Sequence, residues 1–360
     1  MQKIGREVLF IKADKTAIRN GEGAFIRLKN GAIMLLYTEY CGDDWHDDCD
    51  ARFSAYFSYD EGETWKDKKV VLKKGEGAEN IMCASLLRMN NGDIGLFYLE
   101  KFKKGEIVYD KVLMKRSSDE GESWSDAIEC STRDSYYVVN NDRVLRHSSG
   151  RIIIPAAEHK RILQDPHKLV PGTVSCFYSD DDGYTWNESD IICPPFDNTR
   201  FGLMEPGLYE KENGDLYMYI RTELGFQFES TSKDKGESWS KIKPNLYFAS
   251  PDSPMLIKKI KNKTISVFNP VPKPAPCMEN ENILFEKMNR APYVCAVSDD
   301  DGERFERAYY IEDDLTNNYC YPAIIDGDDY FLAAYYHSNN TPVTLNSLKV
   351  TKIMLEEIEK

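Results

Sequence analysis

Ser58-Tyr59-Asp60-Glu61-Gly62-Glu63-Thr64-Trp65 decides how the chain is read, because it returns four times. It recurs as Ser117-Ser118-Asp119-Glu120-Gly121-Glu122-Ser123-Trp124 and as Ser179-Asp180-Asp181-Asp182-Gly183-Tyr184-Thr185-Trp186. Further on stand Ser232-Lys233-Asp234-Lys235-Gly236-Glu237-Ser238-Trp239 and a degraded copy, Ser298-Asp299-Asp300-Asp301-Gly302-Glu303-Arg304-Phe305. The copies start 59, 62, 53 and 66 residues apart. A period of that length marks an array of supersecondary units. Each part of the octapeptide has a mechanical use. The Asp carboxylate suits backbone N–H groups in a tight turn, and the Gly supplies a positive φ. The Trp is a large apolar plug whose indole N–H wants a partner. The repeat therefore reads as a hairpin staple and not as catalytic machinery, with Trp65, Trp124, Trp186 and Trp239 expected to be buried between sheets.

Working outward, a second pattern lies between the boxes: an apolar run, a turn with Gly, and another apolar run. The turns are Lys29-Asn30-Gly31, Asn90-Asn91-Gly92, Ser148-Ser149-Gly150, Glu212-Asn213-Gly214, Lys261-Asn262-Lys263 and Asp326-Gly327-Asp328. Asn-Gly between β-branched and aromatic residues is a strong hairpin signal. In the first five units a third strand, the box and a fourth segment follow the hairpin. The sixth has no box and ends in Leu348–Ile353. A spare strand, Glu7–Ile11, precedes the first unit. Six four-stranded units with a strand left over at the start describe a ring joined at its ends, which leaves few open edges. The expected fold is all-β, a six-bladed β-propeller with Asp-box repeats, spanning residues 1–360 as one domain with almost no helix.

Lys plus Arg number 46 and Asp plus Glu 60, for a net charge of −14. That balance argues against nucleic acid and anionic membrane as partners. The nine Cys have no C-x-x-C spacing, and they read as free thiols in a reducing compartment. With no apolar leader after Met1, the expected location is the cytoplasm. The five His lack metal-ligand spacing and no phosphate loop occurs, so neither metal nor cofactor is expected.

In a propeller the innermost strand of each blade runs along the axis. Counting nine residues back from the turn Gly reaches Glu22, Asn141 and Glu205. Asn80, Asn140, Asp142, Arg143, Ser253 and Tyr321 are nearby. Polar residues recurring in similar register, where a strand would prefer apolar ones, point to a polar axial pocket.

The boxes are similar to the Asp-boxes of the sialidase (neuraminidase) superfamily, and the whole chain resembles a bacterial sialidase-like BNR-repeat protein. Met204-Glu205-Pro206, then Glu212-Asn213-Gly214, Tyr219-Ile220-Arg221 and the box at Ser232 resemble the segment that carries the family's catalytic Glu and the second Arg of its carboxylate-binding triad. Asn289-Arg290-Ala291-Pro292 resembles the segment of the third Arg, and Tyr319-Cys320-Tyr321-Pro322 stands at the place of the nucleophilic Tyr. The resemblance implies an exo-acting, retaining, metal-free glycoside hydrolase on a terminal acidic sugar. Tyr321 would be nucleophile, Glu205 its base partner, and Arg221 and Arg290 the carboxylate clamp. A Tyr nucleophile avoids the repulsion a carboxylate would meet from the sugar's own carboxylate. For the general acid, family position favours Asp47 in the first-blade loop, with Asp44, Asp48 and Asp50 close by. The family's first triad Arg has no counterpart at the matching place, Gly21-Glu22-Gly23. Arg19, Arg27 and Arg52 stand near, and Arg143, within Asn140-Asn141-Asp142-Arg143, offers a substitute cation. Glu22, Arg52, Asn141, Asp142 and Arg143 are thus expected to contact the sugar together with Arg221 and Arg290. The alternatives are a non-catalytic carbohydrate-binding propeller and a glycosidase of the same fold acting on another sugar.

Overall fold

The computed structural model describes residues 1–42, 46–105, 107–159, 161–162, 165–194, 199, 201–272, 290–339 and 345–359. They form six antiparallel sheets that are the blades of a β-propeller, and one further two-stranded sheet, Arg161–Ile162 with Asp165–Leu169. Blade one is Arg19–Arg27, Ile33–Tyr40, Ala51–Ser58 and Lys66–Lys73. Blade two is Ala78–Arg88, Ile94–Lys104, Ile107–Ser117 and the short Ile128–Glu129. In blade three the inner strand is split into Tyr137–Val138 and Leu145–Arg146, both paired with Ile152–Glu158; Thr173–Ser179 and Asn187–Glu188 follow. Blade four is Met204–Glu210, Leu216–Arg221, Phe226–Ser232 and Lys243–Ala249; blade five is Leu256–Ile260, Lys263–Phe268, Tyr293–Ser298 and Arg307–Glu312.

Blade six closes the ring. Asn317–Asp326, Tyr330–Asn339 and Ser347–Met354 come from the end of the chain, and Arg6–Ile11 from its start pairs antiparallel with Ser347–Met354. The spare N-terminal strand is thus the outermost strand of the last blade, as the unit count predicts. Apolar packing confirms closure. Six buried clusters each lie between two neighbouring blades, including one between blades six and one around Phe25, Leu35, Tyr37, Leu332 and Val350.

The boxes are staples. In the first, Asp60 Oδ1 accepts from the Thr64 backbone N–H at 2.9 Å and from Ser58 Oγ at 2.8 Å, while Thr64 Oγ1 donates to Oδ2 at 2.6 Å. The same bonds recur around Asp119, Asp181 and Asp234. In the degraded copy the Arg304 guanidinium replaces the hydroxyl, donating to Asp300 at 2.8 Å. The left-handed Gly62 packs against Leu332 of the preceding blade, where a Cβ would sit 2.7 Å from a Leu332 methyl. The four tryptophans differ from expectation in one respect. They pack against the inter-blade cores but are only half-buried, because each box lies at an outer corner of its sheet.

One backbone device positions the functional groups. The inner strands of blades one, two, four and six break register between Gly21/Ala24, Met82/Ser85, Met204/Gly207 and Cys320/Ala323. At these bulges Glu22, Cys83, Glu205 and Tyr321 take positive φ of 54°, 60°, 42° and 58°, and Asp142 in the split of blade three takes 54°. A bulge turns a side chain out of the in–out alternation of its strand. Left-handed backbone at residues other than Gly is strained and gathers at functional sites.

Candidate active site

Two of the bulges meet across the axis. The Tyr321 hydroxyl donates to Glu205 Oε1 at 2.7 Å, and Arg221 Nη1 donates to Glu205 Oε2 at 2.5 Å and approaches the Tyr321 oxygen at 3.3 Å. Arg221 ends the strand paired to that of Glu205, with Met204 directly opposite it. Its Nε donates to Asp252 at 2.7 Å, which fixes the plane of the guanidinium. Arg290 lies above the Tyr321 ring, 5.8 Å from its centroid, and donates to the Asp252 carbonyl at 2.9 Å and to Cys320 Sγ at 3.1 Å. Burial, then the Glu205 carboxylate, push the Tyr321 phenol well above its ordinary pKa, against the opposing pull of Arg221 and Arg290. Such a phenol reacts as an anion only with a base in contact, and Glu205 is in contact.

These groups line a cavity of about 370 Å³ together with Arg19, Asp47, His46, Tyr136, His159, Phe201 and Met204. Arg19 fills the gap expected at Gly21-Glu22-Gly23. Its guanidinium donates to Glu22 at 2.7 Å, to Asp47 at 2.5 Å and, through Nε, to the Tyr336 hydroxyl at 2.8 Å. It also stacks on the Tyr40 ring, 4.3 Å from the centroid. The cavity therefore carries three guanidiniums, one each from blade one, blade four and the lead into blade five's third strand. Asp47 reaches it from the loop between the second and third strands of blade one. Its side chain is half exposed; partial desolvation would raise its pKa, but Arg19 and then Lys101 outweigh that and hold the carboxyl at about 2. Burial lowers His159 to about 4, so its imidazole is neutral at physiological pH.

Several expected contacts lie elsewhere. Glu22 is beneath Arg19, buried among Tyr40, Tyr336 and Cys83, and props that guanidinium instead of facing a ligand. Burial raises its pKa and Arg19 opposes the rise. Arg52 turns outward to Glu39 at 2.7 Å. Asn141 donates to the Gly23 carbonyl at 2.7 Å and holds blade three to blade one. Asp142 accepts from the Ile324 N–H at 2.9 Å, and Arg143 donates to the carbonyls of Asn141, Met255 and Pro322 at 2.8, 2.7 and 3.2 Å. Asp142 and Arg143 line a separate cavity at the opposite mouth of the ring, near Glu210 and Glu212. The reason is strand direction: they lie at the far side of the split in blade three, where the chain heads for the far end. Arg27 pairs with Glu61 at 2.9 Å, outside the pocket. Of the other loop carboxylates, Asp48 lies 3.7 Å from Lys101 and Asp50 3.0 Å from Lys74, while Asp44 lies outside the described residues. Tyr319, the other tyrosine of that segment, stacks on Tyr293 inside the blades.

With this geometry in hand, the relatives can be compared. Residues 42–336 match the family described as BNR repeat-like domain. The chain belongs to that family. It is a sialidase-like Asp-box protein. Over 151 residues it is 31% identical to the anhydrosialidase of Macrobdella decora, a match spanning 41% of this chain and 18% of that protein. The intramolecular trans-sialidase from Ruminococcus gnavus, solved with oseltamivir carboxylate, superposes with a TM-score of 0.75 at 14% identity, covering 99% of this chain and 98% of that one. The NanB sialidase from Streptococcus pneumoniae superposes with a TM-score of 0.72 at 13% identity, covering 99% and 71%. At such identities the structures share the fold.

Proposed function

We propose that the protein is an exo-acting, retaining glycoside hydrolase of sialidase type, acting on a terminal sugar that bears a carboxylate at its anomeric carbon. The observation that carries this reading is the Tyr321–Glu205 contact of 2.7 Å in a cavity shared with Arg19, Arg221 and Arg290. Three guanidiniums make a clamp for a planar anion and cannot lose their protons. They hold the substrate carboxylate and set the anomeric carbon over Tyr321. The phenol oxygen attacks that carbon as the bond to the aglycone oxygen breaks. Glu205 takes the phenol proton, and Asp47 gives its proton to the departing oxygen. In the second half, Asp47 takes a proton from the attacking water. The tyrosine oxygen leaves and regains its proton from Glu205, so configuration is retained.

An acid held at about 2 is ionised at neutral pH. Substrate binding removes the cause. The incoming carboxylate takes over Arg19 and brings a negative charge beside Asp47, and both changes raise its affinity for a proton. The anhydrosialidase and trans-sialidase relatives support sialic acid as the first sugar to test. Release of methylumbelliferone from its α-sialoside, followed by other acidic glycosides, is the assay, with NMR of the first-formed product to read the anomer. Turnover with an α-configured first product is expected. No turnover of any acidic glycoside would overturn the reading and leave a carbohydrate-binding propeller.

A further inference from the structure

Asp47 belongs to a loop of blade one and pairs with Arg19 of the same blade, yet two further groups that hold the loop belong to blade two. Asn80 is fully buried at the start of the inner strand, and its Nδ2 donates to the Cys49 carbonyl, two residues beyond Asp47. Lys101 stands beside Asn80 in the sheet and is 3% exposed. A buried ammonium is costly without compensation. Lys101 has Asp110 directly opposite it in the next strand, and its Nζ lies 3.4 Å from the Tyr136 hydroxyl and 3.7 Å from Asp48. Tyr136 is itself a wall of the cavity. The loop is folded on itself by the Cys49 N–H to His46 carbonyl bond at 3.0 Å. A tether at Cys49 and a charge at Asp48 therefore fix where Asp47 stands.

We infer that Asn80 and Lys101 are positioning residues: they form a dock on blade two that seats the loop of blade one and so places the Asp47 carboxyl over the bond to be cleaved. This rests on the assignment of Asp47 as general acid, but the seating of the loop does not. The dock explains why the acid is carried across a blade boundary. A loop held only by its own hairpin would place its carboxyl less closely than protonation of a leaving group demands.

The test compares wild type with Asn80→Ala and, because Asp110 is left opposite an apolar chain if the ammonium is lost, treats Lys101→Met as the second variant. Two readouts are used. The first is the ratio of kcat/KM for the methylumbelliferyl sialoside, whose leaving group needs little protonation, to that for sialyllactose, whose leaving group needs much. The second is the rate at which iodoacetamide alkylates Cys49, followed by peptide mass spectrometry. A seated loop predicts that Asn80→Ala raises the ratio at least tenfold and the alkylation rate at least threefold. Equal losses on both substrates mark a merely structural residue and overturn the inference, as does unchanged alkylation in both variants. If wild type cleaves neither substrate, the hydrolase reading fails, and Cys49 alkylation alone decides whether the dock exists.

Discussion

Tyr321→Phe deletes one oxygen and leaves the ring in place. That ring contacts Tyr336 edge-on, with centroids 5.7 Å apart, and lies beneath Arg290. Neither contact needs the hydroxyl, so the pocket keeps its shape and its three guanidiniums. The affinity for an unreactive analogue, 2,3-dehydro-sialic acid, should change by less than about threefold, because uniform binding is untouched. The chemical step loses its nucleophile. Removing a nucleophile costs on the order of 10⁴ to 10⁶ in kcat where it acts with a partner base. Here Glu205 can still stabilise a positively charged sugar while the clamp holds its carboxylate in place, so a fall of about 10³ to 10⁴ is expected, or roughly 4 to 5.5 kcal/mol of barrier. Stability changes as well. Glu205 Oε1 loses its donor while Oε2 keeps Arg221, and a hydrogen bond to a charged group is worth about 1.5–3 kcal/mol. A thermal melt confirms that the variant is folded before its rate is read. Steady-state kinetics on the fluorogenic sialoside, with calorimetry on the analogue, separate the terms. A fall in kcat of less than about tenfold, or a raised KM with kcat intact, would refute the nucleophile assignment and make Tyr321 a binding residue.

Four further outcomes are expected. Asp47→Asn should lower kcat for sialyllactose by about 10² to 10⁴ and hurt the aryl sialoside less. Because Arg19 and Lys101 hold the native Asp47 carboxyl at about 2, below its ordinary value, its contribution to stability is present above that ordinary value and is lost as pH falls through about 2; the melting-temperature gap between wild type and Asp47→Asn should narrow over that range. Trp124→Ala should cost about 1–3 kcal/mol in a denaturant melt, less than the ~3–5 of a fully buried aromatic, because the ring is half-buried; full stability with lost activity would contradict its role as a staple. Removing residues 1–11 takes away the outer strand of blade six and the closure of the ring, and calorimetry should show a broadened, less cooperative transition; an unchanged melt would mean that Ser347–Met354 holds the blade without its partner.

What could be read from the chain was what repeats locally. Boxes and hairpin turns depend on residues within eight positions of one another, so Ser58, Asp60, Gly62 and Thr64 announce the bonds among them. The Glu205–Arg221 pair was legible because one hairpin fixes the separation of its members. Arg19 was missed for a physical reason. The bulge at Glu22 sets two residues against one, so a count backwards from Gly31 that ignores it arrives inside the bulge, while the guanidinium lies further upstream. Arg143 misled in the opposite sense. Composition placed it in a polar stretch near the axis, but only strand direction tells which mouth of the ring it serves. Asn80 and Lys101 act on a loop of another blade, and no spacing along the chain encodes contact between blades. Among Asp47, Asp48 and Asp50 the loop offers no period at all, and their separate partners Arg19, Lys101 and Lys74 come from distant points of blade one and, for Lys101, from blade two.

The left-handed residues at the inner strands have a consequence for how such a protein changes over time. Glu22, Cys83, Asp142, Glu205 and Tyr321 occupy one recurring socket, and all but Cys83, which belongs to the core between blades two and three, stay out of the apolar clusters that join the blades. A substitution in one of those four polar sockets changes the axial chemistry without asking a core between blades to repack. The sockets are also copies of one another in different blades, so a new chemistry requires only that two of them change to complementary types. In this chain one socket holds an acid and another a phenol, and they touch. Cys83 occupies a third, buried beside Glu22 and pushed upward in pKa first by that burial. There it does two jobs at once, filling the core between blades two and three and closing the floor under Glu22.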